Sequence, residues 1–285
     1  MTRTEEFDLY NKLSVQTSKI ITKAYSTSFS LGIRLFATEL RDPIYSIYGF
    51  VRLADEIVDT WHSLDQKKEL SRLRSDCRQA VDSGFSANPI LQSYAQVIRA
   101  YDIDYELVEA FLYSMELDLT QKEYTQEEYE RYIYGSAEVV GLMCLAVFCK
   151  NDESQYARLL PGARSLGAAF QKVNFLRDFG EDADGLGRIY FPGVNMENFG
   201  ETQKSQLVSE IHYDFEKALP AIHDLPDSAR TGVRLAYNYY LELLNKIDRT
   251  PAAQLKNKRI RVSGPQKIIL LISTVAKERI LMRRK

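Results

Sequence analysis

Glycine and proline are too sparse in this chain to punctuate a sheet protein: 14 and 8 among 285 residues. Long stretches run without either and are filled with Ala, Leu, Glu, Lys, Arg and Gln, the residues that lose least on entering a helix. No Val/Ile/Thr alternation bounded by turn pairs is present, so no strand is expected. The fold class expected is all-α, with one helical domain over residues 1–285. Breaks are expected at Ser83–Pro89, Lys150–Ser154, Ala183–Gly200 and Asp224–Asp227, none of them long or biased enough to be a domain linker. There is no repeat at a solenoid period and no low-complexity tract.

Composition excludes several function classes. Hydrophobic residues at 45% and charged residues at 27% suit a chain that buries a core rather than a disordered one. A net charge of −2 leaves no basic field for nucleic acid. Cys77, Cys144 and Cys149 are an odd count without a CxxC, which argues against a disulfide scaffold or zinc ribbon and suits a reducing cytoplasm. The first residues, MTRTEEFDLY, lack the apolar stretch of a signal peptide. The longest apolar run, Val139–Cys149, is shorter than the ~20 residues a bilayer span needs and reads as a buried helix. Nothing in the sequence sets an oligomeric state.

Two predicted helices carry charge where helices disfavour it. The first is expected to start with Asp42 as N-cap and Pro43 at the first helical position, then runs IYSIYGFVRLADEIVDTWH. The second covers about Ala163 to Asp182, with Gly185 and Gly187 as stop signals. Asp55, Glu56 and Asp59 lie near the C-terminal end of the first, and Asp178, Glu181, Asp182 and Asp184 at that of the second. A helix C-terminus bears partial negative charge, so each carboxylate there costs a few tenths to about 1 kcal/mol. Unrepaired breaches of local rules mark functional sites, and a cation would reverse the sign.

Spacing sharpens the pattern. Asp55 and Asp59 stand at i, i+4, with Arg52 and Tyr48 on the same face. Gln171, Asn174, Asp178 and Asp182 share one stripe of the second helix. Both stripes are embedded in apolar sequence and must find partners. A lone DxxxD is common by chance and usually a solvated face; two at helix ends in apolar context, one extended by Asn and Gln, are not. All donors are oxygens, and His62, His212 and His223 make no HxxxH, so the set suits Mg²⁺ rather than zinc. Magnesium takes one or two carboxylates plus substrate phosphates. With Arg52, Arg177 and Arg188 alongside, the pattern suggests a Mg²⁺–diphosphate clamp.

These residues resemble a known family, the head-to-head prenyl synthases (squalene, dehydrosqualene and phytoene synthases). The resemblance is carried by DEIVD at 55–59 after YGFVRLA, and by QKVNFLRDFGEDADGLGRIYFP at 171–192. YSTSFSLGIRLF at 25–36, MELDL at 115–119 and YIYGSAEVVGLM at 132–143 support it. It implies an isoprenoid-synthase helical bundle with a central apolar cavity. It further implies metal positions at Asp55, Asp59, Asn174, Asp178 and Asp182, holding Mg²⁺ or, in its place, Mn²⁺. Ser26, Ser28, Tyr48, Arg52, Gln171 and Arg177 match prenyl-diphosphate contacts, with Arg188 and Tyr240 as looser matches. Read without the resemblance, Ser26 and Ser28 serve equally as helix caps, and Tyr48 and Tyr240 as core tyrosines. Glu138 departs from the family, which usually has Val-Ala-Gly where this chain has Ser136-Ala137-Glu138.

The reaction implied joins two prenyl diphosphates in one apolar barrel. One diphosphate leaves, the second molecule's double bond attacks the allylic cation, and a cyclopropyl diphosphate forms and rearranges. The tail RIRVSGPQK at 259–267 is closer in look to bacterial phytoene synthases. The expectation is therefore two geranylgeranyl diphosphates joined to phytoene, which calls for no NADPH. Dehydrosqualene or squalene from two farnesyl diphosphates is the alternative. A non-catalytic assembly factor of the same fold, or a head-to-tail cyclase, fits less well, because both acid clusters are intact. The Gly185-Leu186-Gly187 stretch reads as a flap over the site. The segment from Lys256 onward mixes bases with an apolar run, and two readings stand: a docked last helix, or peripheral contact with anionic lipid on the inner membrane face.

Overall fold

The computed structural model describes residues 3–183 and 187–282, and among them thirteen α-helices and no strand. They are α1 (Arg3–Tyr25), α2 (Thr27–Ile33), α3 (Thr38–Asp59), α4 (Gln66–Ser83), α5 (Pro89–Ala100), α6 (Tyr105–Asp118), α7 (Gln126–Ile133), α8 (Val139–Cys149), α9 (Glu153–Glu181), α10 (Glu201–Asp224), α11 (Asp227–Arg249), α12 (Ala252–Leu255) and α13 (Gly264–Met282). Between α7 and α8 the chain makes one π turn, Tyr134–Glu138. The one extended pairing among the described residues is an isolated parallel bridge, Glu123 to Ile189.

Helix starts follow local chemistry. Asp65, Asn88, Asp104 and Asp152 each accept a backbone N–H of the first turn, and Thr125 with Glu128 forms a reciprocal capping box. Gly84, at φ 75°, ends α4 in the left-handed conformation that glycine adopts freely. Among the described residues all four expected breaks separate helices.

Two expected starts are corrected. The first motif helix begins at Thr38, not at Asp42, and Pro43 lies inside it. Tertiary contacts draw the extra turn into the helix: the Ala37 N–H bonds the Ser228 carbonyl at 2.8 Å, Arg41 Nε bonds the Phe36 carbonyl at 2.9 Å, and Leu40 is fully buried. Those gains offset the hydrogen bond that proline cannot donate. The second motif helix begins at Glu153 rather than near Ala163, capped by Asp152 and continuing through Pro161.

Helix α9 lies at the centre, against α7, α8, α10, α11, α12 and the π turn, while α3 packs on α1, α4, α5, α6 and α8. The apolar run Val139–Cys149 is core, with Val139, Met143 and Val147 fully buried. It belongs, however, to a longer continuous helical stretch than the run alone suggests: Gln126–Cys149, 24 residues, has the length and hydropathy of a span, with 56% of its apolar window buried inside the fold. The π turn lets this stretch press on α9, where a Cβ on Gly167 would stand 2.8 Å from the Ala137 carbonyl oxygen. Glu138, at the end of that turn, turns to Arg164 at 2.5 Å, so the unusual carboxylate is neutralised by α9.

Candidate active site

Three helices end in carboxylates that meet at one place. Asp59 is the last residue of α3, Asp118 the last of α6, and Asp182 the C-cap of α9, and none of these helices has a base in its last turn. Arg188 joins them. Its guanidinium lies 3.1 Å from Asp59 Oδ1 and 3.6 Å from Asp118 Oδ1, and its backbone N–H donates to the Asp182 carbonyl at 3.1 Å. A single buried cation thus answers three negative helix ends.

Asp118 is fixed from the other side. The Tyr132 hydroxyl donates to both its oxygens at 2.8 Å, and the Tyr190 hydroxyl lies 3.4 Å from Oδ1. Tyr190 in turn stacks on Phe175 of α9 at 4.0 Å between centroids. Beside this cluster opens a cleft of about 370 Å³, lined by Val58, His62, Gln66, Asp118, Lys122 and Arg188 among others.

A second group sits one turn back on α9. Arg177 grips its neighbour Asp178 through two hydrogen bonds, of 2.8 and 2.5 Å. Arg259, from the segment after α12, reaches the same carboxylate at 2.8 Å and Glu181 at 3.2 Å. Further along the stripe, Asn174 Nδ2 donates to Gln171 Oε1 at 3.4 Å, and Gln171 Nε2 donates to Ser136 Oγ of the π turn at 3.2 Å. Tyr240 of α11 stacks on Phe170 at 4.1 Å and feels the Arg177 charge.

The remaining candidates sit along α2 and α3. Ser26 caps α2, its Oγ accepting the Phe29 N–H at 3.2 Å, and Ser28 lies half-buried in the first turn. Tyr48 stacks on Phe29 at 4.7 Å. Arg52 turns along its own helix, pairing with Glu56 and lying 4.2 Å from the Tyr25 ring centroid. Asp184, Gly185 and Leu186 lie outside the described residues, and with them most of the expected flap; Gly187, at φ 64°, has the left-handed backbone that favours glycine.

Burial sets the electrostatics. Desolvation pushes the Asp55 carboxyl up to about 7, with the Asp59 charge adding to it and Arg52 opposing. Asp118 also reaches about 7, raised by burial against the pull of Arg188, and Asp182 reaches about 7 through burial and the charges of Asp178 and Asp59. Burial is the largest cause at all three, and the arginines beside them offset it only in part.

Oxygen donors fit a hard divalent ion. Two buried atoms without a protein partner fit as well: Asn174 Oδ1, an acceptor suited to a cation, and Arg52 Nε, a donor suited to an anion. Among the described residues no group of three or more His, Cys, Asp or Glu side chains closes on a metal by itself. A site that shares its ion with substrate phosphate has that openness.

Sequence reasoning left out four residues of this site. Asp118 stands in MELDL at the C-terminal end of its helix, where a carboxylate is disfavoured as at Asp59, but without an acid at i−4 to pair with. Arg259 had only its place in a basic cluster and in the RIRVSGPQK tail, neither of which pointed to Asp178. Tyr132 and Tyr190 carried no local signal, since their partner is distant in sequence.

Comparison with known proteins gives the family. A family model described as Squalene/phytoene synthase matches residues 22–266. The 15-cis-phytoene synthase of Synechocystis sp. is 28% identical over 276 residues, covering 88% of this chain and 81% of that protein. The presqualene diphosphate synthase of Sinorhizobium fredii is 32% identical over 185 residues, 63% of each chain. A crystal structure of a dehydrosqualene synthase in complex with ligand superposes with a TM-score of 0.80 at 24% identity, covering 95% of this chain and 98% of that one, a likeness of fold. With the match spanning most of the sequence and the helix-end carboxylates gathered at one place, the chain belongs to the squalene/phytoene synthase family, enzymes that join prenyl diphosphates head to head.

Proposed function

We propose that this enzyme joins two geranylgeranyl diphosphates into phytoene through a cyclopropyl diphosphate, with Mg²⁺ and without reductant. The observation that carries the chemistry is the meeting of three carboxylate-bearing helix ends around Arg188. Asp55, Asp59, Asn174, Asp178 and Asp182 are the residues that would hold the ion, and Mn²⁺ would serve in place of Mg²⁺. Bound there, the ion would supply Lewis-acid neutralisation of a leaving diphosphate.

The chain's own groups do the rest. Arg177, Arg188 and Arg259 neutralise the acids in the free protein and are placed to re-pair with diphosphate oxygens, whose charge they match in fork geometry. Arg52 offers its unpartnered Nε to the same anion. The stacked pairs Phe29–Tyr48 and Phe170–Tyr240 present ring faces to a cationic carbon and keep water from it.

The C20 substrate rests on the phytoene synthase relatives that match nearly the whole chain, such as the Synechocystis enzyme. A second reading, joining of two C15 diphosphates, is favoured by the 32% identity to a presqualene diphosphate synthase over a shorter stretch. The three unpaired thiols, Cys77, Cys144 and Cys149, support a reducing cytoplasm as its place of work. The test is incubation with C15 and C20 diphosphates separately, with Mg²⁺, with and without NADPH, followed by lipid extraction. Phytoene from the C20 substrate in both reductant arms is the expected result. Consumption of the C15 substrate alone would replace it with the second reading.

A further inference from the structure

Helix α13 buries polar groups and exposes apolar ones. Among the described residues its two most buried side chains are polar: Thr274 is 1% exposed and accepts from Asn238 Nδ2 at 2.8 Å, and Glu278 is 2% exposed and pairs with Arg230 and Arg234 of α11, with Leu270 packed beside them against the core. Four isoleucines are turned outward: Ile268, Ile269, Ile272 and Ile280 are 57, 64, 63 and 54% exposed. At about 100° per residue these four share one face, with Val275 and Ala276 between them, over roughly 18 Å of helix. Branched aliphatic side chains held in water along three turns, while the polar groups are buried, mark a face meant to be covered.

The charges of the segment say by what. From residue 256 to 282 the chain carries seven bases and one acid, against a net charge of −2 for the whole; of the bases, Arg259 is engaged at Asp178 and Lys256 at the Met196 carbonyl. The acid is Glu278, already neutralised inside. Lys258, Arg261, Lys277 and Arg279 are exposed. A second copy of this chain would bring the same bases up against themselves. An anionic lipid surface satisfies both features at once, taking the isoleucines into the acyl boundary and the bases among headgroups.

We propose that the outward face of α13 docks the enzyme on an anionic bilayer. The helix is anchored to do so beside the site: Lys246 of α11 donates to Gln266 Oε1 at 2.5 Å, and Lys267 lies 5.5 Å from the ring centroid of Tyr239, next to Tyr240. This inference is independent of which prenyl diphosphate is used.

The test is flotation of the full chain with mixed phosphatidylglycerol–phosphatidylcholine vesicles and with pure phosphatidylcholine vesicles. Deleting α13 would strip Arg230 and Arg234 of Glu278, so surface substitutions are used instead. The wild-type chain is expected to float with the anionic vesicles and less with the zwitterionic ones. The combined Ile268→Ser, Ile269→Ser, Ile272→Ser variant should lose roughly tenfold or more in partitioning, since each side chain removes apolar area from the contact. Lys277→Gln with Arg279→Gln should abolish the preference for anionic lipid at an unchanged melting temperature. A wild-type chain that stays below the anionic vesicles, or an isoleucine variant that floats as well as wild type, overturns the proposal. So does a lipid-free dimer that the isoleucine substitutions convert to monomer while neither chain floats.

Discussion

Asp55, Asp118 and Asp182 each keep a proton up to about pH 7 because burial and neighbouring carboxylates disfavour the charged form. The consequence for stability has a definite sign. Between the ordinary value of 3.8 and about 7 the folded chain binds protons that the unfolded chain has released. Stability without divalent ions therefore falls as pH rises through that window and levels off above it. Added Mg²⁺ should raise the melting temperature more at pH 8 than at pH 5, by mass action on the charged form. Equal shifts at both pH values would show that these acids do not hold the ion. Asp55→Asn and Asp178→Asn should each lower turnover by about 100-fold or more while leaving the circular dichroism spectrum intact, because each removes charge opposite the leaving group. Full activity in both would remove the diphosphate clamp. At this scale the sequence was most readable for Asp55, Asp59, Asp178 and Asp182, where helical spacing alone aligned them. It was least readable for Asp118 and Arg259, whose roles come from partners 70 and 81 positions away, at Arg188 and Asp178.

Helix ends, more than helix bodies, build this site. Caps, turn glycines and Asn88-Pro89 made most boundaries legible, because they act through the nearest few residues. The starts of α3 and α9 were not legible, since the turns before Pro43 and Pro161 persist through packing that local propensity does not encode. The π turn at Tyr134–Glu138 was hidden for the same reason; its register is set by α6 and α9 pressing on it. One close approach couples element packing to chemistry. A Cβ on Gly180 would collide with the Lys256 carbonyl, in the segment that leads to Arg259. Backbone cannot yield as a flexible side chain does, so Gly180→Ala should cost about 1–3 kcal/mol in denaturant unfolding. It should also raise the KM for prenyl diphosphate by displacing Arg259 from Asp178. An unchanged KM with lowered stability would mean that Arg259 acts only as a strut.

Across the whole molecule, the all-helical class was legible because sparse glycine and proline leave few other folds, whereas the way the last helix docks was not. An apolar run reads as a buried face, yet α13 attaches to α11 through polar groups. Arg230 meets Asp227 at 2.6 Å and Glu278 at 3.0 Å, and Arg234 meets Glu278 at 3.4 Å and the His223 ring at 3.2 Å. Both arginines and Glu278 are buried. Such a network adds little over an apolar core, but removing one member leaves charge uncompensated, at about 3–5 kcal/mol. Glu278→Gln keeps the shape and deletes the charge, so it should lower unfolding stability by an amount near that range and release α13 to faster amide exchange than α11. Asp227→Asn, at the exposed rim of the same network, should change stability by less than about 1 kcal/mol. If Glu278→Gln were as mild as Asp227→Asn, the helix would be held by packing of Leu270 and its neighbours. The buried network would then not be what orients the outward isoleucines.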